Sequence, residues 1–151
     1  MRRFLKYWLP VLIWVGVIFV GSTDLMSTEH TSRIIAPVLR WLKPDISAEA
    51  IARVQFFIRK TAHVTEYAIL ATLLWRAFGR GTAWSIKKSI LFVVAWVASA
   101  IFAASDEFHQ SFVPSRTASP TDVMVDICGA LIGLAICVAV ASWKVVKEKR
   151  G

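Results

Sequence analysis

Ser89-Ile90-Leu91-Phe92-Val93-Val94-Ala95-Trp96-Val97-Ala98-Ser99-Ala100-Ile101-Phe102-Ala103 is followed at once by Ala104-Ser105-Asp106-Glu107-Phe108-His109-Gln110. The first stretch carries no charge, whereas the second places two acids, a histidine and an amide within five positions. An uncharged run of this length reads as a membrane helix. A charge held at membrane depth costs about 2.5–3.5 kcal/mol on insertion scales, so a polar cluster at the end of such a helix marks a functional site.

The whole chain agrees with that reading. It has 151 residues, enough for one domain, and 56% of them are hydrophobic. Soluble domains use about 45–50%. The net charge of +8 raises the question of nucleic acid, but no basic stripe or recognition module accompanies it, and no nucleic-acid partner is expected. Cys128 and Cys137 stand nine positions apart in one apolar run, which on a helix turns them to opposite faces. Neither a disulfide nor a metal pair is expected from them.

Working outward, the sequence predicts an all-α membrane protein of four transmembrane helices in a bundle, with spans at about 5–22, 59–78, 87–105 and 122–143. Arg2, Arg3 and Lys6 ahead of an apolar run also fit the outline of a signal peptide, but three further spans favour an uncleaved first helix. Pro10 is placed in that helix's first turns, where a helix tolerates it best. Segment 23–58 is long enough to hold structure of its own. Ile34, Ile35, Val38, Leu39 and Leu42 recur at helical spacing behind a Thr31/Ser32 cap, and Lys43-Pro44 ends the pattern. Ser47 caps a second amphipathic piece carrying Ile51, Val54, Phe57 and Ile58, which can run straight into the next span. Both pieces are expected on the membrane surface or against the bundle.

Charge sets the expected orientation. Arg2, Arg3, Lys6, Arg76, Arg80, Lys87, Lys88, Lys144, Lys147, Lys149 and Arg150 fall on one side of a four-span arrangement, which the positive-inside rule makes the cytoplasm. Trp8, Trp75, Trp84 and Trp143 come out near the same interface. Both termini are therefore expected in the cytoplasm of a bacterial inner membrane, with segment 23–58 and the Asp106 cluster outside.

At the outer end the polar residues converge. Arg59, Lys60, His63, Glu66 and Tyr67 fall within an arc of about 120° on one helix. Asp122 and Asp126 share a face with Gly129 and Gly133, and a Gly-x-x-x-Gly stripe admits a neighbouring helix, so that face points into the bundle. Thr121 or Asp122 is the expected cap of the last helix. The catalytic candidates are His63, Glu66, Asp106 and Glu107, as acid, base or stabilising groups. Arg59, Lys60, Tyr67, His109, Gln110 and Arg116 are candidates to bind an anionic group such as a lipid phosphate. Asp122 and Asp126, with Asp106 and Glu107, offer oxygen ligands that suit Mg²⁺ or Ca²⁺. The polar groups also fit a plainer role, as glue between helices.

Arg59-Lys60-x-x-His63-x-x-Glu66-Tyr67, Ser105-Asp106-Glu107-Phe108-His109-Gln110, and Arg116-Thr117 ahead of Asp122-x-x-x-Asp126-x-x-Gly129-x-x-x-Gly133 together resemble the VanZ-like family of small bacterial membrane proteins. Ser22-Thr23 after the first helix resembles the family's small polar step at that place. The resemblance implies a multi-helix membrane domain and a family whose name-giving member is associated with low-level teicoplanin resistance. It supplies no mechanism. The function expected from the residues is a pocket that binds an anionic envelope component, a lipid phosphate or a peptidoglycan precursor. The alternatives are a hydrolase or transferase acting on such a lipid, and a structural or partner-binding protein without chemistry.

Overall fold

The computed structural model describes residues 2–23, 28–82, 87–114 and 119–150. Among the described residues five helices follow one another: α1 (Arg2–Gly21), α2 (Thr28–Leu42), α3 (Ala48–Arg80), α4 (Lys88–Gln110) and α5 (Pro120–Arg150). No strand occurs among the described residues. Among the described residues three helices are long and apolar enough to cross a membrane, namely Arg2–Gly21, Lys88–Gln110 and the Pro120–Trp143 part of α5. The 59–78 stretch is the longer, C-terminal part of α3 and is not among them, because Arg59, Lys60, Glu66 and Arg76 interrupt its apolar character.

Several boundaries depart from the sequence expectation. α2 begins at Thr28, so Thr31 and Ser32 lie inside it and do not cap it. α1 begins at Arg2, which puts Pro10 beyond the first two turns. α4 continues through the polar cluster to Gln110, so Asp106 to Gln110 form its last turns. α5 starts at Pro120 and not at the residues after Thr121; the Ser119 hydroxyl accepts from the Thr121 amide at 3.3 Å, and proline takes the first helical position, where its missing N–H costs nothing. Two expectations hold. Ser47 caps α3 by accepting from the Ala50 amide at 3.2 Å, and α2 stops at Leu42, just ahead of Lys43-Pro44.

All four other helices pack on α3, and α5 packs on α4 as well. At 33 residues and 1.5 Å per residue α3 is about 50 Å long, enough to carry one half in the bundle and the other half along α2. Its buried stripe is Tyr67, Leu70, Ala71, Leu74 and Ala77. Opposite stand small residues, Ala95, Ser99 and Ala103 of α4 and Ala130 of α5, all fully buried. Small side chains at helix contacts let backbones approach, which is how helices associate where lipid removes the hydrophobic drive. Large apolar groups point outward instead, among them Leu12, Ile13, Ile101, Ile132 and Ile136. A surface of that kind is matched to lipid.

The closest approach is between α3 and α5. A Cβ added at Gly129 would lie 2.5 Å from the Val64 carbonyl oxygen, and one at Gly133 would lie 2.8 Å from the Ala68 carbonyl carbon. No side chain larger than hydrogen fits at either place without moving a helix. At one end of the bundle α1 and α3 run antiparallel: Arg3 Nε donates to the Arg80 carbonyl at 2.7 Å, Trp8 meets Phe78 edge-on at 5.1 Å, and Arg76 lies over the Tyr7 ring at 5.2 Å.

These contacts yield a graded expectation for glycine replacement. Gly129→Ala and Gly133→Ala each cost about 1–3 kcal/mol through overpacking. Gly16→Ala, whose added Cβ would meet nothing within 4 Å, raises stability by about 0.4–1 kcal/mol through helix propensity. Thermal unfolding in detergent reads the series.

Candidate functional site

At the end of the bundle away from Arg3 and Arg80, a cavity of about 400 Å³ opens between α1, α2, α3 and α4. Gly21 and Ser22 contribute from the end of α1, Thr31 and Ile35 from α2, and Gln110 from the end of α4. α3 supplies the long wall, with Ala52, Gln55, Phe56, Arg59, Ala62, His63 and Glu66 following one another at three- and four-residue steps along one stripe. The wall is apolar at Ile35, Ala52, Phe56, Ile58 and Ala62 and polar at Gln55, Arg59, His63 and Glu66.

The polar arc of α3 fans out in space. Arg59, His63 and Glu66 face the cavity, whereas Lys60, 100° further round, leaves it and pairs with Asp122 of α5. The Lys60 ammonium also sits 5.3 Å above the Phe56 ring. His63 joins both sides: it lines the cavity while its Nδ1 meets Asp126 Oδ1 at 3.1 Å. Asp126 is 1% exposed. Paired with an ionised Asp126, Nδ1 carries the proton, and Nε2 is the ring nitrogen outside that bond.

A second polar cluster ties α1 to α4. Asp106 Oδ1 accepts from the Ser22 hydroxyl and its Oδ2 accepts from Gln110 Nε2 at 2.9 Å. The Ser22 hydroxyl oxygen also lies 3.0 Å from the Ile18 carbonyl, an alternative acceptor for its single proton. Glu107 Oε1 accepts from the Ser119 amide at the start of α5, and Glu107 Oε2 is buried with no hydrogen-bond partner among the described residues. Tyr67 is fully buried, and its hydroxyl likewise has no partner among the described residues. It borders a smaller cavity of about 210 Å³ with Asp106, Ser105 and His109, whose ring stacks on Phe19 at 4.4 Å between centroids.

The sequence-derived candidates therefore separate. Arg59, His63, Glu66 and Gln110 come together at the larger cavity. Tyr67 and His109 sit at the smaller one, with Asp106 in its wall. Lys60, Asp106, Glu107, Asp122 and Asp126 join one element to another. The four acids considered as oxygen ligands for Mg²⁺ or Ca²⁺ are engaged by Lys60, His63, Ser22 with Gln110, and Ser119, and among the described residues no three His, Cys, Asp or Glu side chains group as a metal site. Arg116 and Trp84 lie outside the described residues. Cys128 and Cys137 are both free thiols.

Sequence reasoning did not assign Ser22, Thr31, Ile35, Gln55 or Phe56 to the site. For Gln55 and Phe56 a signal exists, since both continue the Arg59–His63–Glu66 stripe upstream by single turns. Breaking the helix at residue 59 hid it. Ile35 and Thr31 belong to another helix, and nothing local marks them.

An all-helical chain with lipid-matched outer faces, three apolar membrane-length helices and a polar recess at one end is an integral membrane protein. A family model described as VanZ/LLP1 matches residues 7–142, and the chain belongs to that family. No curated protein and no solved structure matches it.

The Ser22–Asp106–Gln110 cluster has a direct consequence for stability. Asp106→Ala takes the carboxylate acceptor from buried Gln110 Nε2 and leaves the Ser22 hydroxyl only the Ile18 carbonyl, lowering stability by about 1–3 kcal/mol. Ser22→Ala costs less, and the double variant costs less than the sum, because both changes break one network. Detergent melting of the three variants measures the coupling.

Proposed function

We propose that the chain is a four-span protein of the bacterial cytoplasmic membrane, both termini inside, whose outward pocket binds an anionic envelope component: a lipid phosphate or a peptidoglycan precursor. The observation that carries the reading is the mixed wall of the 400 Å³ cavity, where Arg59, His63 and Gln110 stand beside Phe56, Ile35 and Ala52. An amphiphile with a charged head and an apolar body matches such a wall. Arg59 is the cation for the head, in a fork geometry that suits phosphate oxygens. Lys60, bound to Asp122, holds α3 to α5 in this reading and does not touch the ligand. Arg116 remains a further anion-binding candidate from the sequence.

The fourth span is α3 from residue 59 onward. Its polar side chains are tolerable at membrane depth because they face other helices and find partners there, as Lys60 and His63 do. The gathering of Arg3, Arg76 and Arg80 at the end opposite the pocket supports cytoplasmic termini. A pocket for a peptidoglycan precursor on the outer face would connect the chain to teicoplanin, the property associated with the family's name-giving member.

Native mass spectrometry on gently extracted protein tests the reading. The wild type retains phosphatidic acid or a polyprenyl phosphate in preference to a zwitterionic lipid, and Arg59→Gln weakens that retention about 10-fold, the scale of one charge-assisted contact. Equal retention of zwitterionic and anionic lipids by the wild type would contradict it.

A further inference from the structure

We infer that the pocket hydrolyses the phosphate-bearing lipid it binds, with His63 as the general base and Asp126 as the residue that positions it. The inference rests on the pocket reading above and adds a reaction to it. Asp126 comes from α5, a different element from His63, and is 1% exposed, so its carboxylate has no role in contacting a ligand in the cavity. What it does contact is His63 Nδ1, at 3.1 Å. A buried carboxylate on one ring nitrogen fixes the tautomer and the ring's orientation and presents the other nitrogen, with its lone pair, to the open side. A histidine used only as glue between helices would gain nothing from facing a cavity. His63 faces one, in company with Arg59 and Glu66.

The step balances without a co-reactant other than water. His63 Nε2 takes a proton from a water molecule in the cavity as that water's oxygen bonds to phosphorus. The bond from phosphorus to the lipid-side oxygen breaks, and its electron pair stays on that oxygen, which then receives the proton from His63. The products are free phosphate and a lipid alcohol, or a lipid monophosphate when the substrate is a diphosphate. Arg59 offsets charge on the phosphoryl oxygens, and positioning of this kind supplies most of the catalysis in phosphoryl transfer.

The test uses full-length protein in phosphatidylethanolamine/phosphatidylglycerol vesicles containing either phosphatidic acid or a polyprenyl diphosphate, in water enriched in ¹⁸O. The expected result is phosphate release from at least one of the two, with one ¹⁸O in each phosphate released. His63→Gln lowers the rate at least 100-fold, the usual scale for a general base. Asp126→Asn lowers kcat by a comparable factor and leaves KM within about 3-fold, a split that a loss of packing alone does not give. Wild-type protein that retains these lipids by native mass spectrometry yet releases no phosphate overturns the inference and leaves the binding reading standing. Phosphate release that is unchanged in folded His63→Gln, or that carries no ¹⁸O, overturns it too. Failure to retain any lipid phosphate removes the binding reading and this inference together.

Discussion

The contact on which the rest depends is the close seating of α5 on α3, where Gly129 and Gly133 lie against the backbone at Val64 and Ala68. Glycine at those two positions sets the separation of the helices. That separation then places Asp126, one turn before Gly129, against His63, one residue before Val64, and Asp122 against Lys60 a turn further out. Had α5 been held off by even a methyl group, these polar pairs would lengthen while still buried. A buried charge with a stretched partner is costly, since removing one member of such a pair costs about 3–5 kcal/mol. The glycine stripe and the acid pair are therefore one device: the first gives the approach and the second uses it.

That device explains how α3 can be the hub of a membrane protein while being the least apolar of the bundle's long helices. Its charges at Arg59, Lys60 and Glu66 turn toward neighbouring helices. They divide between neighbours, with Lys60 toward α5, Arg59 and Glu66 toward the cavity under α2, and His63 between the two. The helical period does the dividing, since Lys60 and His63 differ by 60° and Lys60 and Glu66 by 120° around the axis. A polar lock and a cavity wall thus coexist on one helix, on adjacent strips of its surface.

Much of this was legible in the sequence, for identifiable reasons. The three apolar helices follow from uncharged runs, and the Ser47 cap and the stop before Lys43-Pro44 follow from local chemistry. The inward face of Asp122 and Asp126 follows from their register with Gly129 and Gly133. What was not legible is who partners whom across helices. Whether Lys60 binds a ligand or Asp122 depends on the crossing geometry of α3 and α5, which residue spacing within either helix does not encode. The acids that read as metal ligands read so because the sequence shows them as a set, whereas in space each is taken by a different partner. α2 as a wall of the cavity was hidden for the same reason, because Thr31 and Ile35 acquire meaning only once α3 is seen to extend back to Ala48.

The polar residues split into those that hold helices and those that face the cavity, proposed above to take a lipid phosphate. The most direct test is crossed: melting in detergent, with and without added phosphatidic acid, for Lys60→Gln and Arg59→Gln. The account predicts that Lys60→Gln lowers the melting temperature more than Arg59→Gln yet keeps the rise produced by lipid, while Arg59→Gln loses most of that rise. Equal loss of the lipid-dependent rise in both variants would contradict the division.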